Sequence, residues 1–160
     1  QQDKYLDSFR RDGYKDVVDN ALPILRNYGF RGVFFIIVNN VGRSGYATWD
    51  DLKKLKSEGW EIGSHALDHS DLVISKASAK KEIFESKEIL EEKLLAPVNF
   101  FCYPAGKYDD STLSLVKDAG YLGAVTTESG TKNSKINIFE LKRIRIQNAE
   151  TLFGFKSIFK

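Results

Sequence analysis

The chain has 160 residues, 42% of them hydrophobic, and a formal net charge of +2. That length supports one domain, residues 1–160, with a sizeable core. The small charge and scattered basic residues give no footprint for nucleic acid. The single cysteine, Cys102, excludes an intrachain disulfide and a cysteine-rich zinc site. No apolar run is long enough to span a bilayer, and the opening Gln1-Gln2-Asp3-Lys4 has no signal-peptide character.

Residues 17–28 read as a helix in which Pro23 forces a kink or a late start, ended by Gly29. The β-branched and aromatic run 32–38 reads as a strand buried on both faces. Thr48, with Asp51 three residues on, is an N-cap for a helix through about Ser57. Residues 60–64 form the next predicted strand, and Ser75 starts a long amphipathic helix to about Leu94, its charges on a solvated face. Pro97 breaks that helix and leads into a strand over 98–103. Asp109-Asp110-Ser111 opens a helix ending near Gly120, and residues 121–127 are a strand. A polar loop over 128–137, a strand over 141–146 and a closing helix over 149–159 complete the pattern. Short loops between alternating strands and helices argue a mostly parallel α/β architecture. The chain is short for a full eight-fold barrel, which takes about 250 residues.

The chemistry concentrates in Gly63-Ser64-His65-Ala66-Leu67-Asp68-His69, which holds both histidines of the chain. Neutral imidazole is the commonest metal ligand among side chains. Two histidines at i and i+4 can face one ion if the segment turns helically; the bland alternative is an exposed or hydrogen-bonded pair. Cys102, in the apolar run 99–104, reads as a packed strand residue. Phe34, Phe35, Phe100 and Phe101 read as core, whereas Tyr46, Trp49 and Tyr108 sit in predicted loops or helix starts, where exposed aromatics can line a binding cleft.

Four segments in order resemble the NodB-homology domain of polysaccharide deacetylases, carbohydrate esterase family 4. They are Asp12-Gly13-Tyr14, the His65/His69 segment, Phe101-Cys102-Tyr103-Pro104-Ala105-Gly106, and Leu141-Lys142-Arg143-Ile144-Arg145. The likeness runs over residues 12–146. It implies an α/β fold, an irregular and incomplete (β/α) barrel of the NodB type. It also implies one divalent metal held by Asp12, His65 and His69, zinc first, with cobalt, nickel or manganese as alternatives. By the same resemblance the backbone N–H of Ala105, beside Tyr103 and Pro104, helps bind an oxyanion, and Arg143 matches an arginine that pairs with the catalytic Asp. The implied reaction is removal of N-acetyl groups from amino-sugar polymers such as chitin, peptidoglycan or poly-N-acetylglucosamine. A location outside the cytoplasm, at a bacterial cell surface, follows from that substrate class alone, and a monomer is expected.

The first motif departs from the family's Thr-Phe-Asp-Asp-Gly. Here Ser8-Phe9-Arg10-Arg11-Asp12-Gly13 puts Arg11 where the general base belongs, or carries one inserted residue. Arginine keeps its proton at neutral pH. No histidine follows His69 to match the family's late Leu-x-His, and Ala66 replaces the Ser or Thr usual between the histidines. Three readings therefore stay open: an active polymer de-N-acetylase, a catalytically silent relative that binds glycan or serves a structural role, and a related hydrolase of small amides.

Overall fold

The computed structural model describes residues 12–133 and 137–144. At its centre lies a four-stranded parallel sheet of β1 (Val33–Ile36), β2 (Glu61–Ser64), β3 (Phe100–Cys102) and β4 (Gly123–Val125). The strands are hydrogen-bonded in the order β1-β2-β3-β4, each beside its successor in sequence. This winding is that of a (β/α) barrel, whereas a doubly wound sheet reverses its strand order. Leu141 continues the sheet past β4. It bridges Val125 in parallel, donating its N–H to Ala124 O and accepting from Thr126 N–H. Among the described residues the strand expected over 141–146 is reduced to that bridge. Its end, and the helix expected over 149–159, lie outside them.

The strands are shorter than their apolar runs because loop contacts take over the backbone. The run 32–38 leaves the ladder after Ile36, where the Val38 and Asn39 N–H groups donate to the carbonyls of Ala66 and Leu67. A 3₁₀ turn over Val38–Asn40 follows. These bonds tie the end of β1 to the loop after β2.

Four α-helices are described: α1 (Leu22–Asn27), α2 (Trp49–Ser57), α3 (Lys76–Leu94) and α4 (Asp110–Asp118). Pro23 sits in the first turn of α1 and has no N–H to give to the helical turn behind it. The widening before it is a π-helical turn over Val17–Ala21, closed by Leu22 N–H donating to Val17 O. Thr48 and Asp51 form a reciprocal capping box on α2, Ser75 caps α3 and Asp109 caps α4, as the sequence leads one to expect.

The main core holds Phe34, Ile36, Leu52, Ile62, Ile83, Leu90, Val98, Phe101 and Val116, all nearly inaccessible. Phe35, Cys102 and Val125 form a separate small cluster with Leu141 and half-buried Phe100. Neighbouring residues of one strand thus enter different clusters, as expected of a sheet covered on both faces.

Candidate metal centre and active site

The loop leaving β2 carries both histidines. It is not helical, so the pair does not meet by the helical turn its spacing would allow; it bends through left-handed backbone at Ala66 (φ 67) and His69 (φ 60). The bend brings the two rings edge to face, 4.8 Å between centroids. The backbone of the bend is well partnered. His65 N–H donates to Ile36 O, and Ala66 N–H donates to Ser64 Oγ. The Leu67 and Asp68 N–H groups donate to Glu82 of α3 at 2.8 and 3.0 Å. Sequence periodicity hides Glu82 among the charges of α3. The available signal was its place in the stripe of Ala79, Ile83, Ser86 and Leu90, all buried.

His65 is fully buried and its Nδ1 lies 2.6 Å from the Cys102 carbonyl oxygen. An oxygen there can only accept, so Nδ1 carries the proton and the lone pair of the neutral ring is on Nε2. That nitrogen lies 3.7 Å from Asp12 Oδ1. The Asp12–Gly13 segment meets the end of β1, with Gly13 against Ile36. It is fixed to the loop before α2 by Ala47 N–H donating to Gly13 O, Lys15 N–H donating to Gly45 O, and Tyr14 stacked on Tyr46 at 4.8 Å.

One ligand atom from each of Asp12, His65 and His69 falls within 4.8 Å of the others. A carboxylate oxygen and two imidazole nitrogens are the donor set of a borderline divalent ion. With bonds of about 2.1 Å, donors on a tetrahedral ion stand roughly 3.4 Å apart, close to the Asp12–His65 separation. The three residues fit such an ion. Their burial is graded: His65 inside, Asp12 half-buried, His69 exposed. This leaves one side of the trio toward solvent, where a substrate can approach.

The turn after β3 lies alongside. Tyr103 is buried, its hydroxyl donates to Phe139 O and its ring stacks on Tyr108 at 4.7 Å. Burial, reinforced by Tyr108 and Glu140, pushes its phenol well above the ordinary value. Tyr108 is pushed up to about 12, first by burial and then by the hydrogen bond it donates to Glu140. Both rings stay neutral at working pH. Pro104 opens a 3₁₀ turn in which Ala105 is exposed with φ 52. Of the five described non-glycine residues with positive φ, Asp12, Ala66, His69 and Ala105 fall in these loops, and only Leu95 lies elsewhere. Strained backbone of this kind gathers at functional sites.

Arg143 is buried, donates from Nε to Thr126 O at 2.5 Å and reaches Cys102 Sγ with Nη2 at 3.8 Å. It therefore packs behind the residue whose carbonyl orients His65. Arg10 and Arg11 lie outside the described residues, as does Arg145. Of the aromatics expected near a cleft, Tyr46 covers Tyr14 and Trp49 packs against the core. Tyr108 borders an open groove of about 420 Å³ with Asp71, Val73, Ile74, Gly106 and Lys107.

The chain matches the family model described as polysaccharide deacetylase over residues 11–124. It is 26% identical over 147 residues to the poly-beta-1,6-N-acetyl-D-glucosamine N-deacetylase of Staphylococcus aureus, covering 82% of this chain and 51% of that protein. The chain spans about half the length of the curated relatives it matches. Among solved structures, the Streptococcus pyogenes deacetylase PplD in complex with acetate superposes with a TM-score of 0.88 at 26% identity, covering 94% of this chain and 68% of that one. A polysaccharide deacetylase from Bacillus cereus superposes at 0.84 with 29% identity, covering 94% and 49%. Within the described residues no helix is long and apolar enough to cross a membrane. With the family model matched over most of its length, and with the fold of these neighbours, the chain belongs to the polysaccharide deacetylase family.

Proposed function

We propose that this domain is a metal-dependent hydrolase that removes N-acetyl groups from amino-sugar polymers outside the cytoplasm. The observation that carries the reading is the convergence of Asp12, His65 and His69 within 4.8 Å. Those three would hold one divalent ion, zinc first. Such an ion, when bound, lowers the pKa of a water molecule and polarises an amide carbonyl.

The protein's own part follows from its geometry. The Cys102 carbonyl keeps the proton of the neutral ring on His65 Nδ1, so Nε2 turns its lone pair to the site. Asp12 has two oxygens: one would help hold the ion, and the other would take a proton from a water brought to the site. The exposed turn at Ala105 would offer its backbone N–H to the developing oxyanion. Tyr103 and Pro104 hold that turn against the core. Arg143 acts at one remove, fixing Cys102 and Thr126 behind the histidine.

The Arg10-Arg11 stretch favours a second reading, a silent relative that binds glycan. Acetate release separates the two. Metal-stripped full-length protein is offered β-1,4- and β-1,6-linked N-acetylglucosamine oligomers with and without zinc or cobalt. Metal-dependent release that disappears in His65→Ala supports the enzyme. Bound metal with no release from either oligomer leaves the silent relative.

A further inference from the structure

Most charges of α3 face solvent; Lys87 and Glu91 are part-buried against the Val98 backbone, and Glu82 is the one that is buried outright. Glu82 is 6% exposed and shares the inward stripe with Ala79, Ile83, Ser86 and Leu90. A carboxylate is costly to bury unless its oxygens are satisfied. Here both are satisfied by a single neighbouring segment. Oε2 accepts from Leu67 N–H at 2.8 Å and Asp68 N–H at 3.0 Å, and Oε1 accepts from Ser70 Oγ at 3.1 Å. These donors flank His69 on both sides. Two residues of this segment, Ala66 and His69, carry left-handed backbone that persists only when its surroundings over-determine it. Ala66 has no side-chain oxygen with which to brace the bend.

We propose that Glu82 is the positioning residue of the histidine loop: its carboxylate fixes the Leu67–Ser70 backbone so that His69 stands beside His65 before any ion arrives. The inference rests on the reading that the two histidines bind metal. Glu82 touches no ion and no substrate in this role. It acts through the backbone, replacing part of the ordering that metal binding would otherwise have to impose.

The test uses full-length Glu82→Ala and Glu82→Gln, with Glu92→Ala as a control because Glu92 is 74% exposed on the same helix. Zinc affinity is measured by competition with a chromophoric chelator, and the coordination geometry by the visible spectrum of the cobalt-loaded protein. Glu82→Ala is expected to weaken zinc binding about 10–100-fold and to alter the cobalt spectrum. Glu82→Gln keeps an oxygen for the two amides and should stay near wild type, as should Glu92→Ala. A folded Glu82→Ala that binds zinc as tightly as wild type overturns the proposal, and so does Glu82→Gln falling as far as Glu82→Ala. If Glu82→Ala does not fold, amide exchange in the metal-free wild type decides. Protected Leu67 and Asp68 amides support the proposal, and fast exchange until zinc is added overturns it. Failure of the metal reading looks different: wild type itself then binds no zinc, while the amide exchange still reports whether Glu82 holds the loop.

Discussion

At Gly106 a methyl group would collide with the side chain of Thr127, and the backbone stands at φ +71. For an L residue such a conformation costs roughly 1–2 kcal/mol before any clash. Gly106→Ala should therefore lower unfolding stability by about 2 kcal/mol or more, read by chemical denaturation. Adding Thr127→Ala should return only part of the loss, because it removes the clash and leaves the strain; full recovery would show that φ does not matter here. The same residue-level view separates what the sequence revealed from what it hid. The histidine pair stood out in the sequence by its residue type and spacing, and Asp12 only by the resemblance of its motif to the family's; the structure places the three together. The Cys102 carbonyl was not legible, since every residue has one and only the β2–β3 pairing puts this one at His65 Nδ1. Glu82 was hidden for a related reason: a glutamate on a charged helix reads as solvated until the packing partner of its face is known.

Elements show the same division. The start of α2 was legible because a capping box is written within four residues, from Thr48 to Asp51. What that box also does, holding the strand of chain that bears Asp12, was not. Lys15 Nζ lies 2.7 Å from Asp51 Oδ1, tying the segment after Gly13 to the helix. Burial pushes the Asp51 carboxyl up, but the hydrogen bonds from Lys15 and from the Thr48 N–H and hydroxyl outweigh it and hold the group below its usual value. A carboxyl so depressed binds fewer protons folded than unfolded. Its contribution is complete above the unfolded value, about 3.9, and is lost as the pH falls through the folded one. Asp51→Asn should flatten the acid limb of the stability curve below about pH 4 while costing about 1 kcal/mol at neutral pH. An acid limb as steep as wild type would place the protonation elsewhere. Thr48→Ala should cost about the same at pH 7 by thermal or urea unfolding, since it removes the other half of the box. The histidine pair meets without the helical turn that its spacing allows. Spacing gives the interval between two side chains but not the backbone that spans it. Here the carbonyls of Ala66 and Leu67 are claimed by the end of β1, and the amides of Leu67 and Asp68 by α3.

Across the whole molecule the three candidate ligands come from two places far apart in sequence, one ahead of β1 and one after β2. The alternation of strand and helix was enough to foresee a parallel sheet, and sequential winding puts the ends of β1 and β2 side by side. An ion at Asp12, His65 and His69 would close a long loop of chain that the unfolded state leaves open, so it binds the native state almost alone. Zinc at 100 times its dissociation constant should then add about 2.7 kcal/mol. For a chain of this size that raises the melting temperature by roughly 5–10 °C. The shift should vanish on chelation. It should also largely vanish in His69→Ala, compared with that variant's own metal-free melting temperature. Calorimetry of both proteins with zinc and with chelator makes the comparison. A shift that survives His69→Ala would mean that zinc stabilises the fold from some other place, and the trio would lose its claim to be the centre around which these loops are built.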